Sequence, residues 1–424
     1  MKIARCLPAL LLVAIWQQAP AQQLNEYQQL YQYQPLTRFT PLEKEKWEEA
    51  EKPLTLRLSG GITYDSNLFR QSDEAGAPTV NGDKDDIVYR VGGGGRYELQ
   101  ASRQTFIAEA NVNANKFQNN DNLDNVSDAV KGEWKWQVGN DWNGVLGAGQ
   151  ARYLESFSNF QQNVKDMINE DRIYGSANYL LHSRLKLSVD GYYLDYRHGD
   201  DSREVLNYKY NNTAFTVNWL TPALNSVGLQ YRTADARYPN DQIVDGVAVV
   251  NDFHENEYSI VSRWMLSGLS QIDARFGYTE RKFDERPFRN FSDPTWRLAW
   301  LWQVTAKTAI EFGTWRQLEA FEDLTANFVR ITGWSIIPTW SYSQNIAFRG
   351  KVAYMDRKYV GDPGIAPVTE RRNDKDYIYQ VSALWTPLRL TELALTLETG
   401  KRTSNVDFAD FKYNSIGASV TRYF

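Results

Sequence analysis

From Leu54 to the carboxy terminus, apolar and polar side chains alternate with a period of two. Leu54, Leu56, Leu58, Ile62 and Tyr64 stand against Thr55, Arg57, Ser59, Thr63 and Asp65. The pattern returns at Tyr89/Val91/Tyr97/Leu99, Trp296/Leu298/Trp300/Trp302, Tyr377/Tyr379/Val381 and Leu393/Leu395/Leu397. Successive side chains of a strand point to opposite faces, so this is the signature of strands with one apolar and one polar side. No stretch of similar length carries the 3.6-residue period of a helix. A chain written this way folds as sheet or not at all.

The links between strands narrow the choice further. Short turns fall at Gly139-Asn-Asp141, Leu181-His-Ser-Arg184, Ser267-Gly-Leu-Ser270, Thr305-Ala-Lys-Thr308 and Thr386-Pro-Leu-Arg389, among others. Between them lie longer polar links: Ser66 to Asp86, Gln118 to Lys131, Glu155 to Glu170, Tyr238 to Asn256, Asp284 to Asp293 and Arg357 to Asp376. Short and long alternate. Eight short turns and nine long loops predict about 18 antiparallel strands in an all-β, up-and-down transmembrane barrel of the outer-membrane type. The short turns then face the periplasm, the long loops face outward, and both ends of the chain are periplasmic.

The amino terminus agrees with export. Met1 to Arg5 is basic, Cys6 to Trp16 is apolar, and Ala19-Pro-Ala21 offers small residues before Gln22, the pattern of a signal peptide over 1–21. Residues 22–52 read as a periplasmic extension and 53–424 as the barrel. The lone cysteine leaves with the signal peptide, so no disulfide is expected. A mean hydropathy of −0.55 excludes a bundle of membrane helices, each of which needs about 20 apolar residues. A net charge of −5 leaves no footprint for nucleic acid.

Aromatic residues make up 14% of the chain and occupy particular places in this register. Trp136, Trp219, Trp302, Trp340 and Trp385 stand just before short turns, with Trp142 in such a turn; they predict an inner girdle at the headgroup level. Tyr64, Tyr153, Tyr231, Tyr278 and Tyr354 stand before long loops and predict the outer girdle. The chain closes on Phe424, resembling the terminal signal read by the barrel assembly machinery, although Arg422 takes a place usually apolar there. Lipid and lipopolysaccharide are the expected surroundings.

The other parity faces the lumen. It carries Arg57, Arg90, Arg96, Lys135, Arg152, Arg172, Lys186, Arg232, Arg263, Arg275, Arg297, Arg349 and Lys351 against Glu98, Glu109, Glu133, Asp190, Glu257, Asp273, Glu311, Glu392 and Glu398. A barrel this wide can hold an aqueous channel. Two readings fit those charges: a hydrated conduit for an anionic or hydroxyl-rich solute, and neutralising pairs that stiffen the wall.

Catalysis finds little footing. Of three histidines, His182 falls in a short turn, and His198 and His254 fall in outer loops. His198-Gly-Asp200-Asp201 is the sharpest constellation, because outer-membrane proteases place a histidine and acids at the barrel mouth. No metal set, phosphate loop or cofactor motif is present, and the chain reads as a non-enzyme.

The first hairpin carries Tyr64-Asp65-Ser66-Asn67-Leu68-Phe69-Arg70. This segment resembles the Tyr-Asp-Ser/Asp-Asn-Leu/Val-Phe-Arg segment of EpsL-type outer-membrane proteins, within the "putative β-barrel porin 2" group. The turn entries Trp219 to Pro222 and Trp385-Thr-Pro387 are similar to those of that group too. The resemblance implies exopolysaccharide biosynthesis or secretion, with the barrel as a passive conduit and polysaccharide and periplasmic export components as partners. The alternatives are a general diffusion porin and a non-conducting scaffold. Asp65, Ser66 and Asn67 also suit a turn leaving the membrane, whatever the cargo.

Overall fold

A computed structural model describes residues 53–158, 161–223, 225–244, 247–285, 287–319, 328–360 and 371–424. The signal peptide and extension expected over 1–52 lie outside the described residues. The chain forms β1 (Leu54–Asp65), β2 (Asp86–Ala101), β3 (Gln104–Phe117), β4 (Asn125–Val138), β5 (Trp142–Leu154), β6 (Met167–His182) and β7 (Leu185–Arg197). It continues through β8 (Tyr208–Leu220), β9 (Ser226–Arg237), a small hairpin of β10 (Gln242–Val244) and β11 (Val247–Val249), then β12 (Phe253–Ser267) and β13 (Ser270–Phe283). The last third holds β14 (Phe291–Thr305), β15 (Thr308–Glu319), β16 (Phe328–Ser341), β17 (Ile346–Val360), β18 (Asn373–Leu388), β19 (Thr391–Ser404) and β20 (Phe411–Tyr423).

Eighteen of these strands form one sheet in which each pairs with its neighbours in sequence. The sheet closes on itself, because β1 pairs antiparallel with β20 from Arg57↔Tyr423 to Asp65↔Ser415. Closure leaves no edge with unpaired backbone groups, the condition a sheet must meet to stand in lipid. The β10–β11 hairpin stands apart, inside the long loop between β9 and β12.

Parity decides which face meets lipid. Val91 and Leu229 are apolar yet 70% and 68% exposed, and both belong to the outward set. Thr55, Ser59 and Glu133, on the opposite parity, are buried within the barrel. Trp219, Trp302, Trp340 and Trp385 are exposed on the outside near short turns, with Trp142 as the first residue of β5 rather than in a turn. Tyr64, Tyr231 and Tyr278 are exposed on the outside near the long loops.

Two assignments reverse in β5. Tyr153 is buried inside with Ile168, Tyr192, Leu194 and Tyr196, and therefore leaves the outer girdle. Arg152 is exposed on the outside, directly opposite Asp128, and therefore leaves the lumen set. The cause is local. Val145 and Leu146 are adjacent apolar residues followed by Gly147-Ala148-Gly149, so the alternation gives no clear phase. The large outward side chains Trp142 and Leu146 set it, and even-numbered residues of β5 face lipid.

Several strands also run past the limits read from sequence. Residues 125–131, 167–170, 253–256, 357–360 and 373–376 belong to strands rather than loops. The barrel wall therefore rises beyond its apolar belt on the side of the long loops.

Candidate functional site

The lumen is lined by charge on nearly every strand, and the structure sorts it into two kinds. The first is tightly paired. Arg232 reaches Glu255, Glu257 at 2.9 Å and the Tyr210 hydroxyl at 3.0 Å. Arg281 donates twice to the other Glu255 oxygen, at 2.9 and 2.8 Å, and Arg275 is ion-paired with Glu257 at 3.3 Å. Glu255 and Glu257 are fully buried in this ladder. A second network joins Asp376 to Arg357 at 2.8 Å and to Arg402 at 2.7 Å, with Arg372 held at 2.8 Å by Asp374. Buried carboxylates are tolerated because each accepts charge-assisted bonds from several directions.

The remaining candidates are distributed around the wall. Arg96 bridges Glu98 at 2.7 Å and Glu109, and Arg263 holds Asp273 at 2.9 Å. Arg57 donates to Asn111 at 2.7 Å and Arg90 to Asn115 at 3.0 Å. Arg349 faces inward opposite buried Thr339 and makes no ion pair among the described residues. Glycines make room for these polar side chains: a Cβ on Gly92 would lie 2.0 Å from Asn113 Oδ1, and one on Gly94 2.1 Å from Asn111 Oδ1. Glu255, Arg357, Asp374 and Asp376, absent from the sequence-derived lumen set, belong to strand ends whose pattern reads as loop; Arg281, within β13, is absent from that set too.

The outer mouth is partly filled by its own loops. Leu68 and Phe69 of the first loop pack with Val88, Phe117, Leu123, Leu154, Phe157 and Met167 in a buried apolar cluster. Phe69 and Phe157 meet edge to face, with ring centroids 5.0 Å apart. From that cluster the described part of the loop between β5 and β6 reaches inward toward the wall at β19. Ser158 accepts a 2.7 Å bond from Arg402 of β19, a strand separated from β5 along the wall by β4, β3, β2, β1 and β20. The Gln161 side chain donates to the Arg70 carbonyl, and Asn163 to the Asn81 carbonyl at 2.6 Å.

The motif Tyr64 to Arg70 is the clamp that turns the first loop inward. Asp65 accepts from the Asn67 backbone at 2.9 Å and from both terminal nitrogens of Arg70, at 2.8 and 2.9 Å. Asn67 donates to the carbonyls of Gln71 at 2.8 Å and Lys412 at 2.9 Å. Ser66 and Asn414 exchange bonds of 2.8 and 2.9 Å. Arg70 takes a left-handed φ of +55°, which lets its guanidinium lie 3.6 Å over the Tyr413 ring. Tyr64 stands outside, while Leu68 and Phe69 enter the cluster. The motif serves the fold of the mouth.

The histidine candidate resolves in the same way. His198 is buried with Nδ1 2.7 Å from Asp166, not from Asp200 or Asp201. Asp166 also accepts the Gly199 and Asp200 backbone N–H groups at 2.9 and 3.2 Å, with Arg203 at 3.3 Å. Asp200 accepts instead from the Ser202 backbone, at 3.0 Å. His182 lies beside Ser183 in the short turn, and His254 pairs with Asp235 on the outside. Asp166 thus ties the end of the β5–β6 loop to the next one. Burial opposes its ionisation, but His198 and Arg203 outweigh that and hold the carboxyl below its ordinary value of 3.8. A depressed carboxyl contributes stability that is complete above the ordinary value and lost as pH falls through the lowered one. Limited proteolysis should therefore cut the 155–166 loop only in strong acid, below pH 3.8. Asp166→Asn should make it cleavable near neutrality as well.

Residues 262–424 match the protein family described as "Putative beta-barrel porin 2". The chain is similar to that family over those 163 of its 424 residues, and it folds as a closed 18-stranded barrel with an apolar outer belt. No curated protein matches its sequence. Solved structures similar to it include OccK10 (OpdN) of Pseudomonas aeruginosa, 8% identical, covering 88% of this chain and 99% of that one at a TM-score of 0.46. OccAB3 of Acinetobacter baumannii is 9% identical, covering 88% and 99% at a TM-score of 0.48. OccK2 (OpdF) of Pseudomonas aeruginosa is 9% identical, covering 88% and 98% at a TM-score of 0.48.

Proposed function

We propose that this barrel is a passive diffusion channel for small hydrophilic solutes, restricted at its outer mouth by the first loop and the β5–β6 loop. The observation that carries the reading is the inward packing of these loops, from the Phe69–Phe157 contact to the Arg402–Ser158 bond. The charged wall beneath these loops supports a hydrated path for small polar solutes. Arg96, Arg232, Arg263 and Arg275 belong to the wall's ion pairs, whereas Arg349 is placed to meet solute. It adds a cationic contact for solutes bearing a carboxylate.

The small-solute reading departs from the exopolysaccharide conduit implied by the sequence resemblance. The residues behind that resemblance build the mouth clamp, and a mouth narrowed by packed loops suits small molecules better than a polymer. No found relative links the chain to polysaccharide. Reconstituted in a planar bilayer, the purified protein should conduct, and Arg349→Gln should lower its preference for anions without lowering its thermal stability. A bilayer that stays silent would leave the scaffold as the better reading.

A further inference from the structure

Four neighbouring strands, β17 to β20, carry an unusual set of outward side chains above the apolar belt. The belt there is marked by Tyr379, Val381, Leu397 and Ile416, all exposed. One or two steps nearer the long loops, the outward positions become Lys358, Lys375, Lys401 and Lys412, with Asp356 as the one acid among the outward wall residues of these strand ends. Lys401 stands directly opposite Lys412 across the β19–β20 pair, and opposite Tyr377 across the β18–β19 pair. Lys375 lies diagonal to Lys401, opposite Thr403.

Like charges directly opposite one another in a sheet destabilise it, because their Cβ atoms are only about 5 Å apart. Protein partners relieve little of this. Asp356 is held by Lys358 at 3.3 Å, and Lys412 reaches Asp73 only at 3.8 Å, an acid that Lys84 already engages. Lys375 and Lys401 have no ion pair among the described residues. Elsewhere on the rim acids accompany the bases. Arg152 stands opposite Asp128, Arg197 pairs with Asp171, His254 is 2.9 Å from Asp235, and Lys209, which faces Arg237 on one side, faces Asp195 at 4.0 Å on the other.

We infer that Lys375, Lys401 and Lys412 form a binding site for the phosphate groups of an outer-leaflet phosphoglycolipid. The chemistry is that of a basic cluster at headgroup height: the ammonium groups meet phosphate while acyl chains lie along Val381, Leu397 and Ile416. Each lysine near a charged lipid surface contributes about 1 kcal/mol, so three together are worth roughly 100-fold in affinity. This inference goes beyond the transport reading and does not depend on whether the lumen conducts.

The test uses the full-length protein purified in neutral detergent and probed with lipopolysaccharide, with inorganic phosphate as a second probe. Native mass spectrometry should show bound glycolipid on the wild type. The Lys375→Gln/Lys401→Gln/Lys412→Gln variant should bind about 100-fold more weakly. Arg152→Gln, on the balanced part of the rim, should bind as the wild type does. Lys401→Glu gives an independent readout, because it turns the Lys401–Lys412 repulsion into a pair. It should raise the unfolding temperature in glycolipid-free detergent and still lose the glycolipid. Equal glycolipid binding by the triple variant, an equal loss in Arg152→Gln, or inorganic phosphate bound as tightly as the glycolipid would each overturn the inference.

Discussion

Replacing both Phe69 and Phe157 with alanine should open the outer mouth while leaving the barrel folded. The two rings are buried against one another and against Leu123, Leu154 and Met167, where the first loop and the β5–β6 loop meet. Removing a buried phenylalanine costs about 3–5 kcal/mol. The cost falls on loop docking, because the wall strands keep their backbone ladder. Even about 3 kcal/mol shifts the balance between docked and released loops more than 100-fold. Single-channel recordings of the variant should show a higher conductance and frequent large openings, with less anion selectivity because solute passes farther from the wall. Circular dichroism should remain that of the intact barrel. Unchanged conductance would mean that these loops do not limit passage.

Arg232→Met should be among the most destabilising single changes in the wall. The arginine is the shared donor for Glu255 and Glu257, and all three side chains are almost wholly buried. Removing one partner of such a cluster typically costs about 3–5 kcal/mol, because the opposite charge stays buried with too few donors. Arg275 and Arg281 remain in place, which argues for the lower end of that range. The urea midpoint of refolding into lipid should fall accordingly. Arg349→Met is the control: a lumen arginine without an ion pair among the described residues should change the midpoint little and the ion selectivity more. A similar midpoint shift for both would contradict the division between wall charges and solute-facing charges.

That division shows what could be seen in the sequence. Alternation such as Leu54/Leu56/Leu58 and the short–long rhythm of links fix an 18-stranded closed barrel, since only a strand with lipid on one side and water on the other demands that pattern. The pattern fades where the outer face is polar as well. Glu255, and likewise Arg357, Asp374 and Asp376, lie where His254, Lys358 and Lys375 are outward neighbours. A polar residue alternating with a polar residue carries no phase, so these strand ends read as loops and the sequence pattern does not reveal most of their buried ion pairs. Arg152 and Tyr153 stand on the faces opposite to those expected for a related reason: the small residues of β5 leave its phase to Trp142 and Leu146. The inward loops had one available signal, the isolated Leu68, Phe69, Leu123 and Phe157 within otherwise polar links. A lone apolar residue in a long polar loop has to find a core somewhere. In this barrel the nearest one is the mouth.

The mouth motif also explains why a sequence resemblance carried farther than its chemistry. Asp65, Asn67 and Arg70 are engaged with one another and with Gln71, Lys412 and Tyr413. Such a clamp would be retained by barrels with different solutes, so it reports on loop architecture.

Liposome swelling with neutral sugars of increasing size tests the central claim most directly. The purified wild-type barrel should admit mono- and disaccharides and exclude longer oligosaccharides, while the Phe69→Ala/Phe157→Ala variant should move that limit upward. Liposomes containing the wild type and the variant that are both as tight as protein-free liposomes would contradict the account.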